Sequence, residues 1–238
     1  MKTPLLTTVS LAVLALCSSC ASYVTPGGRA DFSTFTEESL KEAYEATPQA
    51  AFPAHLVAVR VQESGYRNYR QCSHGAGRYS VVTERDIEND GDFSRLANLD
   101  GVAQVGALNR LLLPSSLGND LDLRQAAARL HGDLLLLYTL DTTFTERGVI
   151  APLGAITIGL APNRRYKIHA TAAALLLDVR SGYVYGTLEE TVDSSGLTMA
   201  WGSRDAIDAS RRKVERKAFE KLLDQFEPFW NQVYRRSR

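Results

Sequence analysis

Cys72 and His74 stand two residues apart in Arg70-Gln-Cys-Ser-His-Gly75, which places a thiol beside an imidazole. A cysteine nucleophile needs a histidine that lowers its thiol pKa inside a formed pocket. Sequence neighbours in a glycine-containing loop rarely have that geometry, so the pair reads as an ordinary loop thiol. A cysteine-dependent hydrolase is the minor alternative. A second candidate is Asp86-Ile-Glu88-Asn-Asp90-Gly91-Asp92, which imitates the start of a calcium loop with acidic oxygens at positions 1, 3 and 5 and glycine at 6. Calcium also needs the bidentate carboxylate at position 12, and Ala97 stands there. A solvated acidic turn is expected instead. The four histidines, His55, His74, His131 and His169, are scattered without zinc-ligand spacing. No G-x-S-x-G elbow, P-loop or G-x-G-x-x-G is present. No catalytic set, cofactor or metal is therefore expected, and the protein reads as a non-enzyme.

Cys20 carries different chemistry. Lys2 supplies a basic start, and Leu5–Cys17 an apolar run of about a dozen residues, too short for a membrane-spanning helix, which needs roughly 20. Cys17-Ser-Ser-Cys20-Ala-Ser follows and resembles a bacterial lipobox, with Ser19 before the acylated Cys20. Cys17 at −3 departs from the usual leucine. An ordinary secretory peptide cut after Ala21 is the alternative. Ala21 is not the aspartate that would retain a lipoprotein at the inner membrane, so the expected address is the periplasmic face of the outer membrane. A soluble periplasmic or secreted protein is the alternative. After cleavage Cys72 is the one remaining thiol, which excludes an internal disulfide.

The charge is bland. Lys plus Arg equals Asp plus Glu at 27 each in 238 residues. Such balance argues against a nucleic-acid partner. Residues 1–20 form the signal peptide, 21–50 a tether with a short helix, and 51–238 a single domain. The tether breaks at Pro26-Gly-Gly28, and a flexible chain of about 15 residues spans about 20 Å. Thr34-Phe-Thr-Glu37 looks like a capping box ahead of Leu40, Ala43 and Tyr44, a helix ending near Thr47-Pro48. His55–Gln62 alternates as a strand with Val57, Val59 and Val61 on one face, and Tyr79–Thr83 is another. The loop 63–78 is too irregular for a helix. Phe93–Leu99 reads as a helical turn, and Gly101–Leu113 starts as a strand and stops at Pro114.

Leu123, Ala126, Ala127 and Leu130 give a helical stripe that Asn119 or Asp120 can cap, with Gly132 in left-handed geometry ending it. Leu134–Tyr138 is too apolar for exposure on either face, so it reads as a central strand covered on both sides. A long hairpin, 166–179 and 183–192, turns on Asp178-Val-Arg-Ser-Gly182, where Asp caps the turn and Gly takes positive φ. Ala170, Ala172 and Ala174 on one face leave room for a C-terminal helix over residues 203–236. Ile207, Val214, Ala218, Leu222, Phe226 and Trp230 form its stripe, and Pro228 should kink or end it. Arg211, Arg212, Lys213, Arg216, Lys217 and Lys221 flank that stripe as a solvated face, with anionic lipid or an acidic partner as the alternative. The apolar lip Ile156, Ile158 and Leu160 is the better contact candidate, burial in the core being its alternative. The fold class is α/β (α+β): a single mixed, largely antiparallel sheet backed by helices, with a long C-terminal helix.

Arg129-Leu-His-Gly-Asp133 running into Leu134–Leu137, followed by the Asp178–Gly182 hairpin and a final helix, resembles bacterial envelope lipoproteins. The similar families are the curli-export lipoprotein, the penicillin-binding-protein activators and related lipoproteins, over about residues 120–225. The resemblance implies a periplasmic α/β lipoprotein domain and carries neither pore formation nor enzyme activation with it. The expected role is a membrane-anchored, protein-binding accessory module in envelope assembly or maintenance. Its contacts are the bilayer through acylated Cys20 and an unidentified periplasmic protein. The alternative is a subunit of an oligomeric export assembly.

Overall fold

A computed structural model describes residues 28–30, 37–68, 73–148, 162–199 and 204–237. In chain order these form α1 (Glu37–Glu45), β1 (Ala54–Glu63), β2 (Ala76–Gly77), β3 (Tyr79–Val82), α2 (Asp90–Ala97), β4 (Val102–Ala107), β5 (Ser116–Leu117), α3 (Asp120–Arg129), β6 (Leu134–Gly148), β7 (Pro162–Asp178), β8 (Val184–Met199) and α4 (Arg204–Arg236). A mixed six-stranded sheet runs β3-β1-β6-β7-β8, with β4 also paired to β1. β1 lies parallel to β4 and β6 and antiparallel to β3, while β6-β7 and β7-β8 are antiparallel. Helices back the sheet and a long helix closes the chain, as the sequence predicts.

Side-chain alternation divides the core in two. Even-numbered residues of β1, β6 and β7, among them Leu56, Leu136, Ala170, Ala172 and Ala174, face α4 and meet Val214, Ala218, Leu222, Phe226 and Trp230. The alanines do give the helix room. Odd-numbered Val57, Val59, Leu135, Leu137 and Leu177 face the other way, toward Leu123, Ala126 and Ala127 of α3. Leu134–Leu137 is thus covered on both sides. The hairpin strands run further than sequence reading gives them, β8 reaching Met199 rather than Val192, in one register from Arg164↔Thr198 to Leu176↔Gly186 with a shift at each end.

Two local expectations change. His131, not Gly132, takes the left-handed conformation after α3, at φ 55°. The amide of Gly132 donates to Ala127 O at 3.0 Å and that of His131 to Ala128 O at 2.9 Å, a Schellman closure. Gly132 is needed for space: a Cβ there would lie 2.5 Å from Val57 Cγ2 and 3.1 Å from Ala127 O. Gly132→Ala should therefore destabilise the fold by about 1–3 kcal/mol, the usual cost of overpacking, read from urea denaturation. Pro228 does not end α4, for the helix continues to Arg236. A missing backbone bond and a ring clash cost ~3 kcal/mol. Phe226 and Trp230 on either side are 2% and 0% exposed, and burial of such side chains contributes about 1.5–3 kcal/mol each. The short helix expected in the tether is α1, whose Leu40 and Tyr44 are 58% and 85% exposed.

Candidate functional site

Arg60 occupies the α4-facing register of β1, where Leu56 and Ala58 precede it, and is 2% exposed. A buried guanidinium demands carboxylates. Its Nη1 lies 2.7 Å from Asp86 Oδ1 and 3.8 Å from Glu88 Oε1, and its Nη2 donates to Tyr66 Oη at 3.2 Å. From α4, Arg211 (1% exposed) reaches into the same region. It lies 3.5 Å from Asp86 Oδ2, donates to Asp208 Oδ1 at 3.0–3.1 Å and pairs with Glu215 Oε2. Tyr138 donates to Glu88 Oε1 at 2.9 Å and Thr142 to Glu215 Oε1 at 2.7 Å.

Burial alone would push both guanidinium pKa values down. The surrounding carboxylates, Glu88 first for Arg60 and Glu215 first for Arg211, outweigh it and hold both above their ordinary value. Burial, with Glu88 nearby, pushes the Tyr138 phenol well up. Near these ions β1 and β6 part after Arg60↔Tyr138. The Gln62 side chain takes over the ladder, donating to Leu140 O at 2.7 Å and accepting from Leu140 N at 3.0 Å. The charges pair with one another and tie β1, the 84–89 loop and α4 together.

A second polar centre lies at the hairpin turn. Asp178 is 0% exposed. Its Oδ1 accepts from the amides of Arg180 and Ser181 at 2.9 and 3.1 Å, the turn role expected. Its Oδ2 does more, accepting from the amides of Gln49 and Ala50 at 2.6 and 2.7 Å, with Tyr185 Oη at 3.4 Å. The carboxylate thereby clasps the segment leading into β1. Gly182, at φ +73°, lies against Arg124, which donates to Val179 O at 3.0 Å and Arg180 O at 2.7 Å.

Burial, reinforced by Asp178, pushes the Tyr185 phenol up to about 12 from 10.0. A raised folded-state pKa contributes stability that is complete below pH 10 and lost as pH rises through 12. Burial also raises Tyr79 and Tyr138, in the same direction. Alkaline unfolding monitored by circular dichroism should begin as the unfolded-state tyrosines ionise, and the share of tyrosinate absorbance lost in a Tyr185→Phe variant should rise with it rather than before it.

The third feature is the face of the hairpin opposite α4. His169 Nδ1 and Asp193 Oδ1 meet at 2.7 Å, Lys167 lies 3.5 Å from the same oxygen, and Thr171 and Thr191 hydroxyls pair at 2.9 Å, all exposed. The hydrogen bond with His169, then the charge of Lys167, lowers the Asp193 pKa. Where this face approaches β1, a groove of about 480 Å³ is lined by Arg29, Val61, Leu137, Leu175, Thr187 and Glu189. Gly28 fixes its rim: its amide donates to Glu63 Oε2 at 2.9 Å, and its carbonyl accepts from Glu63 N at 2.9 Å.

Cys20, Cys72, Ile156, Ile158 and Leu160 lie outside the described residues. His74 bridges backbone to backbone with Val81, and His169 meets Asp193; the histidines do not converge. No cluster of metal-binding side chains occurs among the described residues. The acidic segment is not a solvated turn. Asp86 and Glu88 face buried arginines, and Asp92 caps α2 by accepting from Asn89 N at 2.8 Å while pairing with Arg216. Only Asp90 stays in solvent, 2.9 Å from Arg85. Nor is the basic flank of α4 uniformly solvated, because Arg211 is buried and Arg216 is engaged; Lys213, Lys217 and Lys221 are exposed. The sequence signal for this cluster is Arg60: an arginine two residues beyond Ala58 on an inward register requires acids, and Asp86 and Glu88 supply them.

No family model matches the chain, and no curated protein matches it in sequence. Solved structures do. A DUF330 protein from Xanthomonas campestris is 14% identical and covers 90% of this chain and 99% of its own, with a TM-score of 0.38. A neuraminyllactose-binding hemagglutinin homolog from Helicobacter pylori is 10% identical and covers 87% and 99%, at 0.37. A PelC dodecamer from Paraburkholderia phytofirmans is 13% identical and covers 75% and 92%, at 0.24. At these scores the likenesses carry no argument about activity or partners. No described helix is long and apolar enough to cross a membrane.

Proposed function

We propose that the chain is exported, acylated at Cys20 and held at the periplasmic face of the outer membrane, where it binds a protein partner in envelope assembly or maintenance. The observation that carries this reading is the N-terminal sequence: a basic start, an apolar run of signal-peptide length and the small residues before Cys20. Gly28 is bonded to Glu63 beside the groove and the hairpin face, which among the described residues is uncovered. The role proposed is binding without catalysis. Its support is that the buried charges pair among themselves, while the exposed face offers hydroxyls, one His–Asp pair and a partly apolar groove.

Photo-crosslinkers placed in living cells at Lys167 and Thr191 test the surface, with Lys213 and Lys221 on α4 as controls. Adducts with one envelope protein from the first pair, absent from the second, are expected. Adducts from α4 alone would contradict the reading. An oligomeric export subunit is the second reading, favoured by β8, whose outer edge is unpaired among the described residues. Size exclusion in mild detergent distinguishes the two, since a strict monomer rules out a ring.

A further inference from the structure

Where Arg60 meets Glu88, the buried atoms Arg60 Nε and Glu88 Oε2 have no hydrogen-bond partner among the described residues. One is a donor and the other an acceptor. Leaving either dry costs about 1–3 kcal/mol, and more for a charged group. Both residues line the same narrow cleft, with Ala58, Phe93, Leu108 and Tyr138, and its volume is about 20 Å³. A water molecule needs roughly 10–15 Å³ of such space and two to four polar partners. The cleft therefore has room for a water molecule.

We propose that this cleft is a binding site for a single structural water, which accepts from Arg60 Nε and donates to Glu88 Oε2. The chemistry selects a neutral guest. A cation would sit against the Arg60 guanidinium, an anion against the Glu88 carboxylate, and an apolar guest would satisfy neither atom. Water, at once donor and acceptor, satisfies both. It completes the polar array of Arg60, Glu88 and Tyr138 and links the 84–89 loop to the sheet at a point where no direct bond joins these two atoms.

The test is a high-resolution crystal structure of the full folded domain. One density peak is expected within about 2.7–3.2 Å of both Glu88 Oε2 and Arg60 Nε. A cleft without density, or one closed by the two side chains bonding each other, would overturn the assignment. Glu88→Leu provides a second arm. The peak should vanish from that variant's crystals, and a peak that persists there would show that other groups hold it and that the proposal is wrong. Should the variant fail to fold, the wild-type density alone decides.

Discussion

Replacing Asp178 by alanine is expected to remove on the order of 4 kcal/mol of stability, since hydrogen bonds to a charged acceptor are each worth about 1.5–3 kcal/mol and some stranded amides remain within reach of water. Four backbone amides converge on this carboxylate, those of Gln49, Ala50, Arg180 and Ser181. Two belong to its own turn and two to a segment about 130 residues earlier. The loss would consume a large share of the 5–15 kcal/mol that separates a domain of this kind from its unfolded state. Asp178→Asn should be little better, because an amide turns an NH₂ toward one pair of donors. Urea denaturation gives the magnitude. A second reading comes from hydrogen exchange: the amides of Gln49 and Ala50 should lose protection before those of β1. A loss below about 1 kcal/mol, the net worth of one ordinary hydrogen bond, would mean that the clasp is not formed in solution.

Arg211→Met is the other large expected effect. It deletes the cation between Asp208 and Glu215, which are each 1% exposed, and takes from Glu215 the guanidinium that pairs with it, while Asp208 keeps Arg212 Nε at 3.2 Å. Removing one member of a buried pair costs about 3–5 kcal/mol, chiefly because the remaining charge stays desolvated. The comparison that separates charge from packing is the double variant Arg211→Met with Glu215→Met. It should recover much of the loss, since an apolar pair of similar volume is often neutral or stabilising. A double variant as unstable as the single one would show that the guanidinium acts by filling space. Arg211→Lys should not restore the wild type, because one ammonium cannot reproduce the bonds from Nε and Nη2 to Asp208.

Much of the scaffold was legible from periodicity. Leu134–Leu137 announced a doubly covered strand because no half-buried strand is that apolar. Ala170, Ala172 and Ala174 announced a helix across them, and α4 lies there. Pairwise chemistry between distant residues was not legible. Asp178 showed its turn role but not its hold on Gln49 and Ala50, since nothing local marks residues that far apart as partners. The acidic run 86–92 looked solvated because exposed acids and acids answering a buried arginine are the same letters; the register of Arg60 decides between them. Pro228 does not end α4, because the local proline rule omits the anchors on either side of it. Trp230 holds the next turn in place, its indole donating to Asp100 O at 2.8 Å and its ring meeting Phe52 at 5.8 Å.

Where the protein lives, and with it every partner proposed for it, depends on one sulfur atom. The intact mass of the mature protein, purified from membranes in detergent, tests this most directly. The account expects a chain beginning at Cys20 that carries a thioether-linked diacylglyceryl group and an amide-linked acyl chain, both absent from Cys20→Ser. A chain that retains Met1, or one that begins beyond Cys20 with no lipid, would contradict it.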